Sequence, residues 1–152
     1  MRLPDQLQRL FRDSHFRLAH LAALLLWLAG LAWLQPKIDP LWPVHALQAF
    51  VLLGLAYPVI EEVVFRGLLQ GWLRERPRLR LSRFGITPAN LLTSLVFTAL
   101  HFIHHPPPAA AAVLVPSLVF GYFRDRHDGL LGPVWLHCFY NIGYFWLFAS
   151  GN

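Results

Sequence analysis

The sequence predicts an all-α fold, a polytopic membrane helix bundle of about five transmembrane helices. Three observations carry that expectation. Hydrophobic residues make up 56% of the 152-residue chain and charged residues only 14%, whereas a soluble domain of this size carries about 25% charged residues. The apolar residues gather into long runs, and the arginines fall between those runs in an alternating pattern.

The stretch 1–15 is polar, carries Asp5 and Asp13, and reads as a cytoplasmic N-terminal segment rather than a cleaved signal peptide. One membrane-embedded domain is expected over 16–149. Its first span runs from about Phe16 to Leu34, enough to cross about 30 Å of hydrocarbon. The second starts near Leu41 and stays apolar to Leu73, broken mainly by Glu61, Glu62, Arg66 and Gln70. That length exceeds one perpendicular span, so a helix to about Tyr57, a bend at Pro58 and a second helical piece are expected. The third span covers about Ala89 to Ile103, before Pro106-Pro107-Pro108; the fourth covers Ala109 to Phe123 and the fifth Leu130 to Ala149.

Arginine placement sets the orientation. Arg2, Arg9, Arg12 and Arg17 precede or open the first span. Arg74, Arg76, Arg78, Arg80 and Arg83 separate the second from the third, and Arg124 and Arg126 the fourth from the fifth. Five alternating spans put all of them on one face, which the positive-inside rule makes cytoplasmic. The N-terminus is then inside and Asn152 outside, and the expected location is a bacterial inner membrane. The net charge of +5 lies in loops, without a basic face interleaved with aromatics, so no nucleic-acid partner is expected. A single cysteine, Cys138, excludes an internal disulfide.

Ionisable groups inside hydrocarbon are costly and mark function. Glu62 and Arg66 stand at i and i+4, acid first, the favourable order for a pair. Glu61 lies about 100° around the helix from that pair, without its own cation. Gly67 and Gly71 form a small-residue face that suits close helix approach. Phe97 and His101 share one helical face, as do His137 and Asn141. At about 1.5 Å per residue, Glu61 and His101 lie about 18 Å deep, and His137 and Asn141 roughly 10 to 17 Å. Such a set supports water activation. Glu61 is the candidate general base, helped by His101, while His137 and Asn141 are candidate donors to a developing oxyanion.

These residues resemble the CPBP family, also called ABI or CAAX-protease-like, which includes the type II CAAX prenyl endopeptidases. Its motifs EExxxR, FxxxH and HxxxN stand here, in order, as Glu61-Glu62 with Arg66, Phe97 with His101, and His137 with Asn141. The resemblance covers about Leu41 to Phe148. It implies a glutamic-type intramembrane protease with Glu61 as catalytic base, His101 as co-activator of water, and His137 and Asn141 as the oxyanion hole. Glu62, Arg66 and Phe97 would support the site. No cofactor is required by that mechanism, although a zinc-dependent version is an alternative. The chain is shorter than the eukaryotic members, which argues against a prenylated CAAX substrate, and is more like small bacterial members associated with C-terminal protein-sorting tags, which would be cut near the membrane.

Other readings fit less well. The chain has no HExxH motif, no serine with a GxSxG-like pattern, and no aspartate within an expected span. His104 and His105 suggest a metal cluster with His101, but His105 precedes Pro106, which disfavours helix there and makes both boundary residues. Cys138 points about 100° from His137 and reads as a small core residue. A non-catalytic membrane binding or immunity-type protein of the same fold remains the competing class. A proton or metal relay is disfavoured by the lack of inverted repeats.

Overall fold

The computed structural model describes residues 3–82 and 84–149. Arg2, Arg83 and Asn152, which entered the orientation argument, lie outside the described residues. Every regular element among the described residues is helical. Contacts divide the chain into two compact units, residues 1–60 with 134–152, and residues 61–133.

The first unit opens with helix α1 (Leu3–Arg12), in the stretch expected to be merely polar. Leu3, Leu7, Leu10 and Phe11 recur at helical spacing, so one face is apolar. Leu10 is buried, and Phe11 meets Phe16 edge to face at 5.5 Å. Asp13 then caps α2 (Ser14–Leu34), its carboxylate accepting from the His15 amide at 3.0 Å. The 21 residues of α2 show leucines on nearly every side, among them Leu18, Leu21, Leu24, Leu26 and Leu28. A soluble core helix would bury these, so α2 is suited to lipid.

Past α3 (Trp42–His45), the segments α4 (Leu47–Val51), α5 (Tyr57–Glu62) and α6 (Gln70–Arg74) form one helical run, Leu47–Arg74. Five-residue and seven-residue π-helical stretches, Leu52–Ala56 and Val63–Leu69, join them. The second helical piece expected after Pro58 thus follows the first with no non-helical residue between them. In the first π stretch the Tyr57 amide donates to the Leu52 carbonyl, five residues back. That register absorbs a proline without ending the helix. The run α2 and this 28-residue run are long and apolar enough to cross a membrane.

In the second unit, a 3₁₀ turn (Pro77–Leu79) leads to α7 (Pro88–His101), capped by Thr87, whose hydroxyl accepts from the Asn90 amide. Then come α8 (Pro107–Ala112) and α9 (Leu114–His127). The last helix, α10 (Leu131–Tyr144), begins in this unit, continues into the first and passes into a π turn, Phe145–Ala149. The fourth apolar run is thus divided between α8 and α9, and α9 continues four residues past the expected limit at Phe123. Asp125 thereby falls on a helix.

Polarity in the second unit is inverted relative to a soluble domain. Asn90, Thr93, Ser94 and Thr98 form the buried stripe of α7, while Leu91, Leu92, Leu95, Val96 and Leu100 are exposed. Leucines outward with hydroxyls and an amide inward suit a hydrocarbon solvent, and Asn90 there accepts from Ser94 and donates to the Leu118 carbonyl. Direction follows from the bonds. Arg66 meets Ser117, Gln70 meets Gly121, and Arg74 meets Asp125, each pair 51 residues apart, so the π-helical Val63–Leu69 segment and α6 run parallel to α9. Thr87 meets Asp125 and Asn90 meets Leu118, so α7 runs antiparallel to both.

Candidate active site

Glu62 and Arg66 are fully buried, with Arg66 Nε 3.3 Å from Glu62 Oε2. The i, i+4 pair expected from spacing is formed. Arg66 Nη2 donates to both the carbonyl and the hydroxyl of Ser117, each at 2.8 Å. Its guanidinium carbon stands 4.9 Å from the Phe97 ring centre and 5.6 Å from that of Phe120. Charge, fork geometry and aromatic faces thus all hold one cation, a combination that lysine cannot reproduce.

Glu61 is half-buried, at the start of the second unit. It was expected to lack a cation, but its charge also acts on Arg66, more weakly than that of Glu62. The two neighbouring carboxylates therefore share one arginine unequally.

Phe97 is buried and meets Phe65 edge to face at 4.9 Å and the His101 ring at 4.5 Å. Arg66, Phe97 and His101 thus form a continuous chain of contacts. His101 Nδ1 lies 2.9 Å from the Phe97 carbonyl. A carbonyl only accepts, so Nδ1 carries the proton and Nε2 of the neutral ring presents a lone pair. Helix α7 ends at His101, and His104 and His105 are exposed in the turn beyond. His105 stacks on His101 with ring centres 5.6 Å apart. Among the described residues no group of three His, Cys, Asp or Glu side chains is placed to hold a metal ion.

His137 and Asn141 belong to the first unit, on α10. His137 is buried, and Asn141 Nδ2 donates to the Leu53 carbonyl at 3.0 Å. The reason lies in the π register, where the donor five residues after Leu53 would be the amide of Pro58, which proline lacks. Asn141 supplies the missing hydrogen bond. One of its two amide hydrogens is engaged there, and the second remains as a donor.

Sequence reasoning missed the polar ladder beyond Arg66. Gln70 Nε2 donates to the Gly121 carbonyl at 3.0 Å and to Asp125 at 2.9 Å. Asp125 also pairs with Arg74 at 3.1 Å and accepts from the Thr87 hydroxyl at 2.7 Å. Arg74 and Arg124 both reach Asp128, at 2.8 and 3.0 Å. Their hydrogen bonds, that of Arg74 first, hold the Asp128 carboxyl below its usual range. The signal was present as polar residues at 62, 66, 70 and 74, every fourth position of one helix.

The expected close approach at Gly67 and Gly71 is not where the helices come nearest. A Cβ at Gly67 would make ordinary contact with Leu130, at 3.4 Å, and one at Gly71 would meet only its own helix. The crowded glycines include Gly121, where a Cβ would stand 1.9 Å from Asn90 Oδ1, and Gly143, where one would stand 2.2 Å from the Trp27 ring.

No curated protein and no solved structure matches the chain. The family described as Rce1-like type II CAAX prenyl endopeptidase matches residues 40–143, more than half of the chain, a stretch that contains all seven candidate residues. The chain belongs to the Rce1-like type II CAAX prenyl endopeptidase family.

Proposed function

We propose that this membrane protein is a glutamic-type intramembrane endopeptidase. Its substrate is a membrane-associated protein, cut near its C-terminus next to a sorting tag. Glu61 takes a proton from water as the water oxygen attacks the peptide carbonyl carbon. His101 Nε2 accepts a hydrogen bond from the same water and orients it. His137 and the free amide hydrogen of Asn141 stabilise the oxyanion. Collapse breaks the C–N bond, and the proton held by Glu61 passes to the leaving amine. No step is routed through a metal.

The observation that carries this reading is the chain Glu62–Arg66–Phe97–His101, fully buried at its ionic end. It holds the base-bearing turn and the histidine-bearing turn through one aromatic ring, within a family of peptidases. In the membrane, five alternating spans place the ends of α6 and α9 and the start of α7 on the cytoplasmic face. The parallel and antiparallel directions of those helices agree with that alternation.

The test is processing of co-expressed membrane proteins carrying the host's C-terminal tags, by wild type and by a folded Glu61→Gln variant. The amide keeps shape and hydrogen bonding but removes the base, so cleavage should fall by about 10²–10⁴-fold. Equal cleavage by both proteins would sink Glu61 as the base.

A further inference from the structure

A cavity of about 500 Å³ opens where the ends of α6 and α9 meet the start of α7. It lies wholly within the second unit, apart from the candidate catalytic residues. Its walls include Arg74, Arg80, Arg126, Ser82, Thr87 and Tyr122. One carboxylate, Asp125, also lines it, but both of its oxygens are engaged: Oδ1 by Arg74 and Gln70, Oδ2 by Thr87. Arg74 is drawn down by Asp125 and Asp128. The other two cations on the wall are Arg80 and Arg126. Arg80 has no carboxylate within ion-pairing distance among the described residues, and Arg126 lies 5.8 Å over the Tyr122 ring.

The surroundings say where an anion would come from. Leu81 is exposed and Phe84 fully so, on the non-helical segment that also carries Arg80 and Ser82. Gly85 lets this segment turn, at φ +83, against Tyr122. Trp72 is exposed nearby in the sequence, with Arg76 stacked 3.7 Å over its ring. Bare apolar side chains beside arginines and an indole match the headgroup boundary of a bilayer, where rings sit at headgroup level and leucine and phenylalanine reach the acyl chains. A positive-inside loop needs no cavity; this one has walls, hydroxyls and two arginines around a volume within the range of ligand pockets.

We infer that this cavity binds the phosphate headgroup of an anionic phospholipid, with Arg80 and Arg126 on the phosphate and Leu81 and Phe84 against the acyl chains. Arginine is suited to the task because its fork donates two hydrogen bonds to one phosphate. The Ser82 hydroxyl supplies a neutral donor beside it.

The test is thermal stabilisation of the purified full chain in detergent, titrated with phosphatidylglycerol or phosphatidylcholine. Phosphatidylglycerol should protect saturably and phosphatidylcholine should not. Each arginine removed should weaken apparent affinity for phosphatidylglycerol about fivefold, so Arg80→Ala with Arg126→Ala loses about 25-fold. The charge-matched pair Arg9→Ala with Arg12→Ala, on α1, should lose far less. Ser82→Glu, an exposed substitution that adds a carboxylate to the wall, should abolish the preference for phosphatidylglycerol. Equal losses in the two arginine pairs would overturn the site in favour of a diffuse field. Equal protection by inorganic phosphate, or by a peptide with a free C-terminal carboxylate, would overturn the lipid as its occupant.

Discussion

Asn141 is a candidate catalytic donor that also repairs a helix, and the two roles separate in one experiment. Its amide donates to the Leu53 carbonyl, the group orphaned by Pro58. Asn141→Ala should leave that carbonyl without a donor, at a cost of about 1–3 kcal/mol. At roughly 2–4 °C per kcal/mol for a chain of this size, the melting temperature should fall by about 2–12 °C. Pro58→Ala restores an amide at the position where the π register requires one. In that background Asn141→Ala should cost less, with a coupling of about 0.5–3 kcal/mol between the two sites. Melting of the wild type, the two single variants and the double variant in detergent closes the cycle. If Asn141→Ala costs the same in both backgrounds, Pro58 is not the cause and the reasoning fails. Cleavage gives the second reading. The double variant should recover stability yet stay about 10²–10³-fold slower, because a restored backbone amide cannot replace an oxyanion donor.

Three further outcomes follow from the second unit. Gly121→Ala should drive its methyl into Asn90, whose amide donates to the Leu118 carbonyl and accepts from Ser94. Crowding of a packed core costs about 1–3 kcal/mol. Asn90→Ala added to Gly121→Ala should recover part of the lost melting temperature, and a double variant no better than Gly121→Ala would refute the contact. Arg66→Met should destabilise by about 3–5 kcal/mol by leaving Glu62 buried without its cation. Glu62→Leu with Arg66→Met should melt higher than Arg66→Met alone. Asp128, held below the usual carboxylate range by Arg74 and Arg124, adds stability that is complete at neutral pH. That stability is lost as pH falls through its depressed folded-state value. Asp128→Asn should therefore melt lower than wild type above about pH 5 and converge with it in stronger acid. The gap should be small, because the side chain is largely exposed.

What the sequence revealed and hid divides along physical lines. The Glu62–Arg66 pair and the shared face of Phe97 and His101 were legible because both are contacts within one helix, set by spacing alone. The apolar runs were legible because they are long. Helix α1 was not, because its four apolar residues are interleaved with Asp5, Gln6, Gln8 and Arg9, and only the packing of Leu10 and Phe11 shows which face matters. The partner of Asn141 was hidden, because nothing in the composition says that Leu52–Ala56 is wound as a π helix. Asp125 fell outside the expected fourth span, and its flanking arginines point elsewhere: Arg124 to Asp128 and the Arg66 carbonyl, Arg126 over Tyr122. A loop-like run of charges can be the last turn of a helix.

The second π stretch, Val63–Leu69, has a structural consequence that bears on Glu61. In a pure α helix, residues four apart drift about 40° around the axis at each step. Glu62, Arg66, Gln70 and Arg74 would then wind away from a straight neighbour over three steps. The α9 partners of Arg66, Gln70 and Arg74, which are Ser117, Gly121 and Asp125, keep the same spacing of four, and the offset stays at 51 throughout. A π helix turns less per residue than an α helix, so seven residues in that form oppose the forward drift. The ladder can then stay in register for its whole length. Each rung has its own hydrogen bonds, and that fixes the rotation of the helix about its axis. Glu61, one residue before Glu62, is turned about 100° around the helix from it. Glu62 is the closer partner of Arg66, at 3.3 Å, Glu61 acts on it more weakly, and rungs that resist rotation keep that order, which suits the role proposed for Glu61.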